Sequence, residues 1–223
     1  MFKIDTHVHT DEVSPCAKVK AVETVKLYKE KGYSGIIITD HYSIRTFIRM
    51  TGMSREEKNE RYLSGYRAAK KEGDRIGLKV YLGMEITFSW SINDYLVFGV
   101  EEDFLQKKLN ICRMGLPKFR KLADENNLLI YQAHPYRIGM SRTDPKYLDG
   151  IEVFNGNPRH NSNNESALEY AKENGLLMSS GSDFHRLEDV AAGGMLFPKL
   201  PENNAELAAM LKESTREQLI AAL

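Results

Sequence analysis

Cysteine is scarce, with only Cys16 and Cys112 among 223 residues, and the two stand far apart. A pair so placed forms no disulfide framework and suits a reducing compartment. Charge of one sign is equally absent, because 31 Lys+Arg balance 31 Asp+Glu. A neutral chain lacks the broad basic surface that binds nucleic acid without specificity, though it leaves room for a small local basic site. No run approaches the roughly 20 apolar residues that span a bilayer. The opening Met1-Phe2-Lys3-Ile4-Asp5 meets charge at once and has no apolar signal core. The expectation is a cytoplasmic chain with no membrane contact. Linkers, repeats, low-complexity tracts and a glycine-rich dinucleotide turn are also missing, so residues 1–223 are read as one domain. That length suffices for a full hydrophobic core.

Short apolar runs alternate with longer amphipathic stretches. Strands are expected at Phe2–Val8, Gly35–Thr39, Lys79–Leu82, Tyr95–Val100, Leu128–Gln132, Gly150–Phe154 and Leu176–Ser180. Helices are expected at Val19–Lys31, Ser54–Ile76, Glu102–Asn126, Asn164–Asn174 and Glu202–Ala222. Gly32 stops the first helix. Ser54-Arg55-Glu56-Glu57 opens the second with a capping box. Gly115 and Pro117 are placed to divide the third. Such alternation with buried strands points to a parallel α/β architecture. About seven strands without a dinucleotide turn favour a barrel.

Five of the six histidines, His7, His9, His41, His134 and His185, fall at ends of expected strands, each beside a polar or acidic residue. In a β/α barrel those ends converge on one face. In Asp5-Thr6-His7-Val8-His9 the i, i+2 spacing turns both histidines to one side, where they can grip one ion with Asp5 as an outer partner; a polar strand end is the plain alternative. Asp183 and His185 repeat the spacing. Glu85, just past a buried strand, is either a solvated loop acid or a paired or metal-bound one. The cluster contains no cysteine, so a thiolate-type structural zinc site is excluded. Mixed imidazole and carboxylate donors suit Zn²⁺, Mn²⁺ or Fe²⁺ in an open site. Seven donors exceed one ion's needs, so two or three divalent ions are implied.

Arg137 can reach a phosphate in bidentate fashion or lie on a surface loop. Glu152 and the turn Asn155-Gly156-Asn157-Pro158-Arg159-His160 follow another strand, and Arg159 and His160 are candidates for substrate contact. Arg45, Arg49 and Arg55 read as a solvated face and Cys16 as a small loop residue; Phe88 and Trp90 either wall a substrate pocket or fill core, and core is the default for large aromatics.

Taken together, Asp5-Thr6-His7-Val8-His9, Thr39-Asp40-His41, Gly83-Met84-Glu85, Ala133-His134-Pro135 and Ser182-Asp183-Phe184-His185 resemble, in the same order and over nearly the whole chain, the PHP (polymerase and histidinol phosphatase) superfamily. The resemblance implies a distorted, TIM-like seven-stranded β/α barrel and a metal-dependent phosphoesterase acting on phosphomonoesters or phosphodiesters. It implies that His7, His9, Glu85 and Asp183 hold a first ion. Glu85 would bridge to a second ion bound by His134, and His41 and His185 would hold a third, with Glu12 as the candidate further ligand and Asp11 behind it. His7, His9, Glu85, Asp183 and His185 would carry the catalysis. One departure stands out: where the family often places a histidine for the second ion, this chain has Leu96, and Asp94 is the candidate substitute. The chain is more compact than the family's histidinol phosphatases, so the expected substrate is a small phosphate ester left unnamed. Two alternatives remain, hydrolysis at nucleotide or oligonucleotide ends and a non-catalytic metal-binding module.

Overall fold

The computed structural model describes residues 1–108 and 110–221. The parts of the expected helices that fall on Leu109 and Ala222, like Leu223, lie outside the described residues. Strand β1 (Phe2–Val8) leads through helix α1 (Ala21–Glu30) to β2 (Gly35–Ile38), β3 (His41–Tyr42) and α2 (Ile44–Ile48). Helix α3 (Arg55–Ile76) precedes β4 (Lys79–Leu82), β5 (Met84–Thr87) and β6 (Asp94–Phe98). Then follow α4 (Glu102–Lys107), α5 (Leu116–Glu125), β7 (Leu129–Gln132), β8 (Gly150–Asn155) and α6 (Asn164–Asn174). The described chain closes with β9 (Leu177–Gly181), β10 (Gly193–Phe197), α7 (Asn204–Lys212) and β11 (Leu219–Ala221).

Local chemistry accounts for the clearest boundaries. Ser54 caps α3 with the reciprocal Ser54–Glu57 box, and Gly77, at φ 74°, ends it in the left-handed conformation that glycine adopts without a Cβ penalty. The run Gly35-Ile36-Ile37-Ile38 is buried throughout, as a strand covered on both faces must be. Gly115 and Pro117 do divide the third expected helix: α4 ends at Lys107 and α5 starts at Leu116.

The strands form two sheets, one of five in the order β11-β10-β1-β2-β4 and one of six in the order β3-β5-β6-β7-β8-β9. The expectation of seven strands closed into one barrel is corrected: the described residues form eleven strands in two mixed sheets. Pairing direction is the reason. β1, β2 and β4 run parallel, as do β7, β8 and β9, but β6 runs antiparallel between β5 and β7, β10 runs antiparallel to β1, and β11 antiparallel to β10. The strands missed in the sequence are two to five residues long, and β10 opens with Gly193-Gly194, too little for a periodic signal. The expected helix 202–222 is likewise shorter. α7 ends at Lys212, and Leu219–Ala221 pairs with β10 instead, covering that sheet's edge.

Between β4 and β5 the chain passes from one sheet to the other through Gly83 alone. A Cβ there would come within 3.0 Å of Ile37 Cγ2 and 3.1 Å of the Val97 carbonyl oxygen, so only glycine fits without displacement. The crossing places Glu85 two residues beyond, opposite His41 in the β3–β5 register. A parallel bridge between Val8 and Phe184 brings the ends of β1 and β9 together. One buried cluster, with Ile4, Ile37, Leu96, Tyr131 and Phe197, takes in Leu207 and Leu211 of α7; the larger cluster includes Val25, Tyr28, Leu63 and Phe119. Each such side chain contributes about 1.5–3 kcal/mol when fully buried. No helix among the described residues is long and apolar enough to cross a membrane.

Candidate metal centre

The i, i+2 geometry of β1 delivers His7 and His9 to one side, with their Nε2 atoms 3.0 Å apart. Glu85, entering from β5, puts Oε1 3.4 Å from His7 Nε2 and Oε2 3.5 Å from His9 Nε2. Asp183 Oδ1 stands 3.5 Å and 3.6 Å from the same two nitrogens. His134 Nε2 approaches Glu85 Oε1 at 3.2 Å, and His41 Nδ1 lies 2.6 Å from Glu85 Oε2. The donor atoms of His9, His41 and His185 lie within 4.8 Å of one another, as do those of His7, His9 and Glu85, and those of Glu85, Asp94 and His134. His134 and Asp183 occupy the left-handed region, at φ 31° and 51°, a conformation costing on the order of 1–3 kcal/mol that persists only where the surroundings fix it. For Asp183 they do: Asn157 Nδ2 donates to its carbonyl at 3.0 Å, and Arg137 Nη2 to its carboxylate at 2.7 Å.

A layer of buried partners orients these groups. His7 Nδ1 bonds Glu152 Oε1 at 2.9 Å, while Glu152 Oε2 accepts from the backbone N–H of His134 at 3.0 Å and from Asn155 Nδ2 at 2.9 Å. One carboxylate therefore fixes two candidate ligands, His7 on β1 and His134 just past β7. His185 Nδ1 meets the Asp183 carbonyl at 2.9 Å, and His9 Nδ1 meets Ser14 Oγ at 3.2 Å. Asp40 accepts from Ser14 Oγ at 2.7 Å and from the Thr10 N–H at 2.8 Å. Asp5, expected as the outer partner of His7, instead accepts from the backbone N–H groups of His7 and Ser182, at 3.1 Å and 3.0 Å, and from the Tyr28 hydroxyl at 2.7 Å. Glu152 takes the ring-nitrogen role. Gly181 completes the packing, since a Cβ there would collide with that of His7 and lie 3.0 Å from Glu152 Oε1.

Charge is concentrated here. Burial disfavours the cationic form of His7, but Glu152, Asp183 and Glu85 outweigh it and hold the imidazole well above the usual histidine range. His41 is raised in the same way by Glu85, against burial. His185 is raised to about 10, where hydrogen bonding to Asp183 and Cys16 overcomes burial. His9 is driven well below the usual range by burial and by His185 and His41. Glu85 and Asp183, though buried, stay well below the ordinary carboxylate range beside these histidines. Burial pushes Asp5 and Asp40 up to about 6.

The residues fit divalent ions. Glu85 Oε2 and His134 Nδ1 are buried without a hydrogen bond, and the 2.6 Å approach of Glu85 Oε2 to His41 lacks the alignment of one. The Nε2 atoms of His7 and His9, buried, 3.0 Å apart and ringed by carboxylate oxygens, form a donor set that suits a divalent cation once His7 gives up its proton.

Of the candidates from sequence, His7, His9, His41, Glu85, Asp94, His134, Asp183 and His185 converge. Glu12 does not join them: its Oε2 accepts from the backbone N–H of Ala21 at 3.0 Å, at the start of α1. Asp94, on the near end of β6, receives the Thr87 hydroxyl at 2.5 Å. Leu96 is buried in the apolar cluster. A chamber of about 250 Å³ over the centre is lined by Arg137, Arg159 and His160 together with His41, Glu85, His134, Asp183 and His185. Arg159 is held there by a two-armed pairing with buried Asp189. An adjoining cleft of about 820 Å³ shares Cys16, His41 and Asp94 and runs past Arg45, Arg49 and Trp90. Trp90 is fully exposed rather than core, whereas Phe88 is buried. Arg45, Arg49 and Cys16 carried no motif signal, because their place at the site depends on how the loops fold.

The family model of the PHP domain matches residues 5–217. No curated protein matches the chain. Among solved structures, PsfC from Pseudomonas syringae is similar with a TM-score of 0.66 at 17% identity, over 99% of this chain and 91% of that one. The lesion-specific endonuclease PfuEndoQ from Pyrococcus furiosus gives 0.62 at 13% identity, over 96% of this chain and 56% of its own. A two-domain protein from Bacteroides vulgatus containing a predicted PHP-like metal-dependent phosphoesterase gives 0.58 at 17% identity, over 82% of this chain and 52% of its own. The chain thus spans about half the length of the last two. At these identities the likenesses concern the fold.

Proposed function

The chain belongs to the PHP domain family, and on that premise we propose that it is a metal-dependent phosphoesterase that hydrolyses a small phosphate ester, monoester or diester. The observation that carries the reading is the convergence of five imidazoles and three carboxylates, with Arg137, Arg159 and His160 lining the chamber beside them. His7, His9, Glu85 and Asp183 would hold one ion, Glu85, Asp94 and His134 a second, and His41 and His185 a third. Zn²⁺, Mn²⁺ or Fe²⁺ suits the donors. When bound, such ions lower the pKa of water and neutralise phosphoryl charge.

The chain's own residues divide the remaining work. Glu152 fixes the tautomer of His7, so that its Nε2 keeps a lone pair for coordination. Arg137 bridges Asp183 and Asn155 at the chamber wall, with Nε buried and unpartnered, and presents a guanidinium to phosphoryl oxygens. Arg159, aligned by Asp189, and His160 face the same space. The larger cleft would receive the leaving group.

One feature favours a second substrate class. An exposed indole beside Arg45 and Arg49 can stack a base and meet a further phosphate, which suits a nucleotide or an oligonucleotide end. The test compares metal-loaded protein on a chromogenic phosphomonoester, its bis-ester and a short single-stranded oligonucleotide. Hydrolysis of any of the three that chelator abolishes and metal restores is expected, and preference among them chooses the class. Metal bound stoichiometrically without turnover of any would leave only a metal-binding module.

A further inference from the structure

The histidine pair reserved for the third ion lacks the loop ligand expected from the sequence. Glu12 is engaged with Ala21, and Asp11 pairs at the surface with Lys20 at 2.7 Å. A different side chain of that loop reaches the pair: Cys16 Sγ lies 3.1 Å from His41 Nε2. We infer that Cys16 is a ligand of this ion together with His41 and His185, a thiolate–imidazole site beside the carboxylate-rich pair. The inference rests on the metal-dependent reading above.

Several contacts put the thiol there by construction. The loop is tightly turned, with the N–H groups of Val13 and Ser14 donating to the Thr10 carbonyl at 3.2 Å and 2.9 Å, and that of Ala17 to Ser14 at 3.0 Å. It is tied to both histidines: the His41 N–H donates to Ser14 Oγ at 3.1 Å, and the Lys18 N–H to the His185 carbonyl at 2.8 Å. The loop that carries the thiol is therefore anchored to the segments of both imidazoles. The ring of His185 is anchored through Nδ1, which aims Nε2 toward the group. His9, His41 and His185 already bring three donor nitrogens within 4.8 Å, and the buried Glu85 Oε2, without a hydrogen bond, lies 2.6 Å from His41 Nδ1. Nothing about the lone cysteine was legible as a ligand, because its spacing matches no cysteine motif. A sulfur donor softens the site, favouring Zn²⁺, Fe²⁺ or Co²⁺ over Mn²⁺ or Mg²⁺.

The experiment uses the full chain, stripped of metal and titrated with Co²⁺. A thiolate-to-cobalt charge-transfer band in the near ultraviolet is expected. Alkylation of Cys16 by iodoacetamide, read by mass spectrometry, should slow by about tenfold or more on loading, since a coordinated thiolate is a poor nucleophile. Cys112 is buried and serves as the unreactive reference. Cys16→Ser should lose the band and about one metal equivalent while keeping the others, and Cys16→His should regain the equivalent without the band. The inference is overturned if loaded wild-type protein is alkylated at Cys16 at the metal-free rate, or if Cys16→Ser keeps both band and metal count. If wild-type protein binds no cobalt at all, the metal-dependent reading falls with it, which separates the two failures.

Discussion

Replacing Glu152 with glutamine changes one oxygen to an amide nitrogen and leaves the volume almost intact, yet it should weaken metal binding strongly. The carboxylate accepts from three donors, His7 Nδ1, the His134 N–H and Asn155 Nδ2, at 2.9, 3.0 and 2.9 Å. A glutamine has only one acceptor oxygen. If that oxygen faces His7, the amide nitrogen meets two further donors inside a buried site. If it faces His134 and Asn155, the amide donates to His7 Nδ1, and the proton of His7 shifts to Nε2, the atom aimed at the metal. One opposing effect exists, because Glu152 also helps to hold a proton on metal-free His7, and the variant lightens that competition. Glu85 and Asp183 continue to hold it, so the loss of orientation dominates. Affinity should fall about 10- to 100-fold, as for other outer partners of ligating histidines, or about 1.4–2.8 kcal/mol. The unsatisfied donor should also lower the stability of the metal-free protein by about 1–3 kcal/mol. Competition with a chromogenic chelator measures the first and urea unfolding the second. Affinity within twofold of wild type would refute the assignment of Glu152 as the partner that sets the His7 tautomer.

Metal binding should release protons. The metal-free centre holds His7, His41 and His185 protonated at neutral pH, and coordination needs neutral imidazoles, so the free protein carries more protons than the loaded one and affinity must rise with pH. Calorimetry in buffers of different ionisation enthalpy counts the protons, and a heat independent of buffer would contradict it. Gly181→Ala forces a methyl against His7 and should cost both stability, by about 1–3 kcal/mol, and metal affinity; unchanged melting and binding would show that the β1–β9 contact yields freely. His9→Ala and Asp183→Ala should each reduce hydrolysis to the level of chelator-treated enzyme, and activity at half the wild-type value would remove that residue from the centre. Chelation should destabilise the loaded fold by about 2.7 kcal/mol relative to an ion held at one hundred times its Kd, so scanning calorimetry with and without metal should give clearly separated midpoints.

Most of the candidate metal-binding side chains, and the regular elements around them, were legible in the sequence. His7 and His9 were legible because strand alternation turns i and i+2 to one side, and His41, Glu85, His134, Asp183 and His185 because each follows a run of buried residues. β1, β4 and α6 have the boundaries read from pattern alone, and the Ser54 capping box marked the start of α3. Tertiary structure decided what pattern cannot encode. The short strands β3, β5, β10 and β11 exist through pairing with distant partners, so neither the split into two sheets nor the antiparallel returns left a periodic trace. Choice among candidate donors of one loop was also nonlocal. Glu12 and Cys16 stand in one loop, and only its folding against His41 and His185 turns the carboxylate to the end of α1 and the thiol to the histidines. Glu152 is separated from His7 by 145 residues, and its role arises where β8 and β9 pack beside β1. Most candidate ligands are written in short local motifs; the partners that orient them follow from long-range packing, which one sequence does not display.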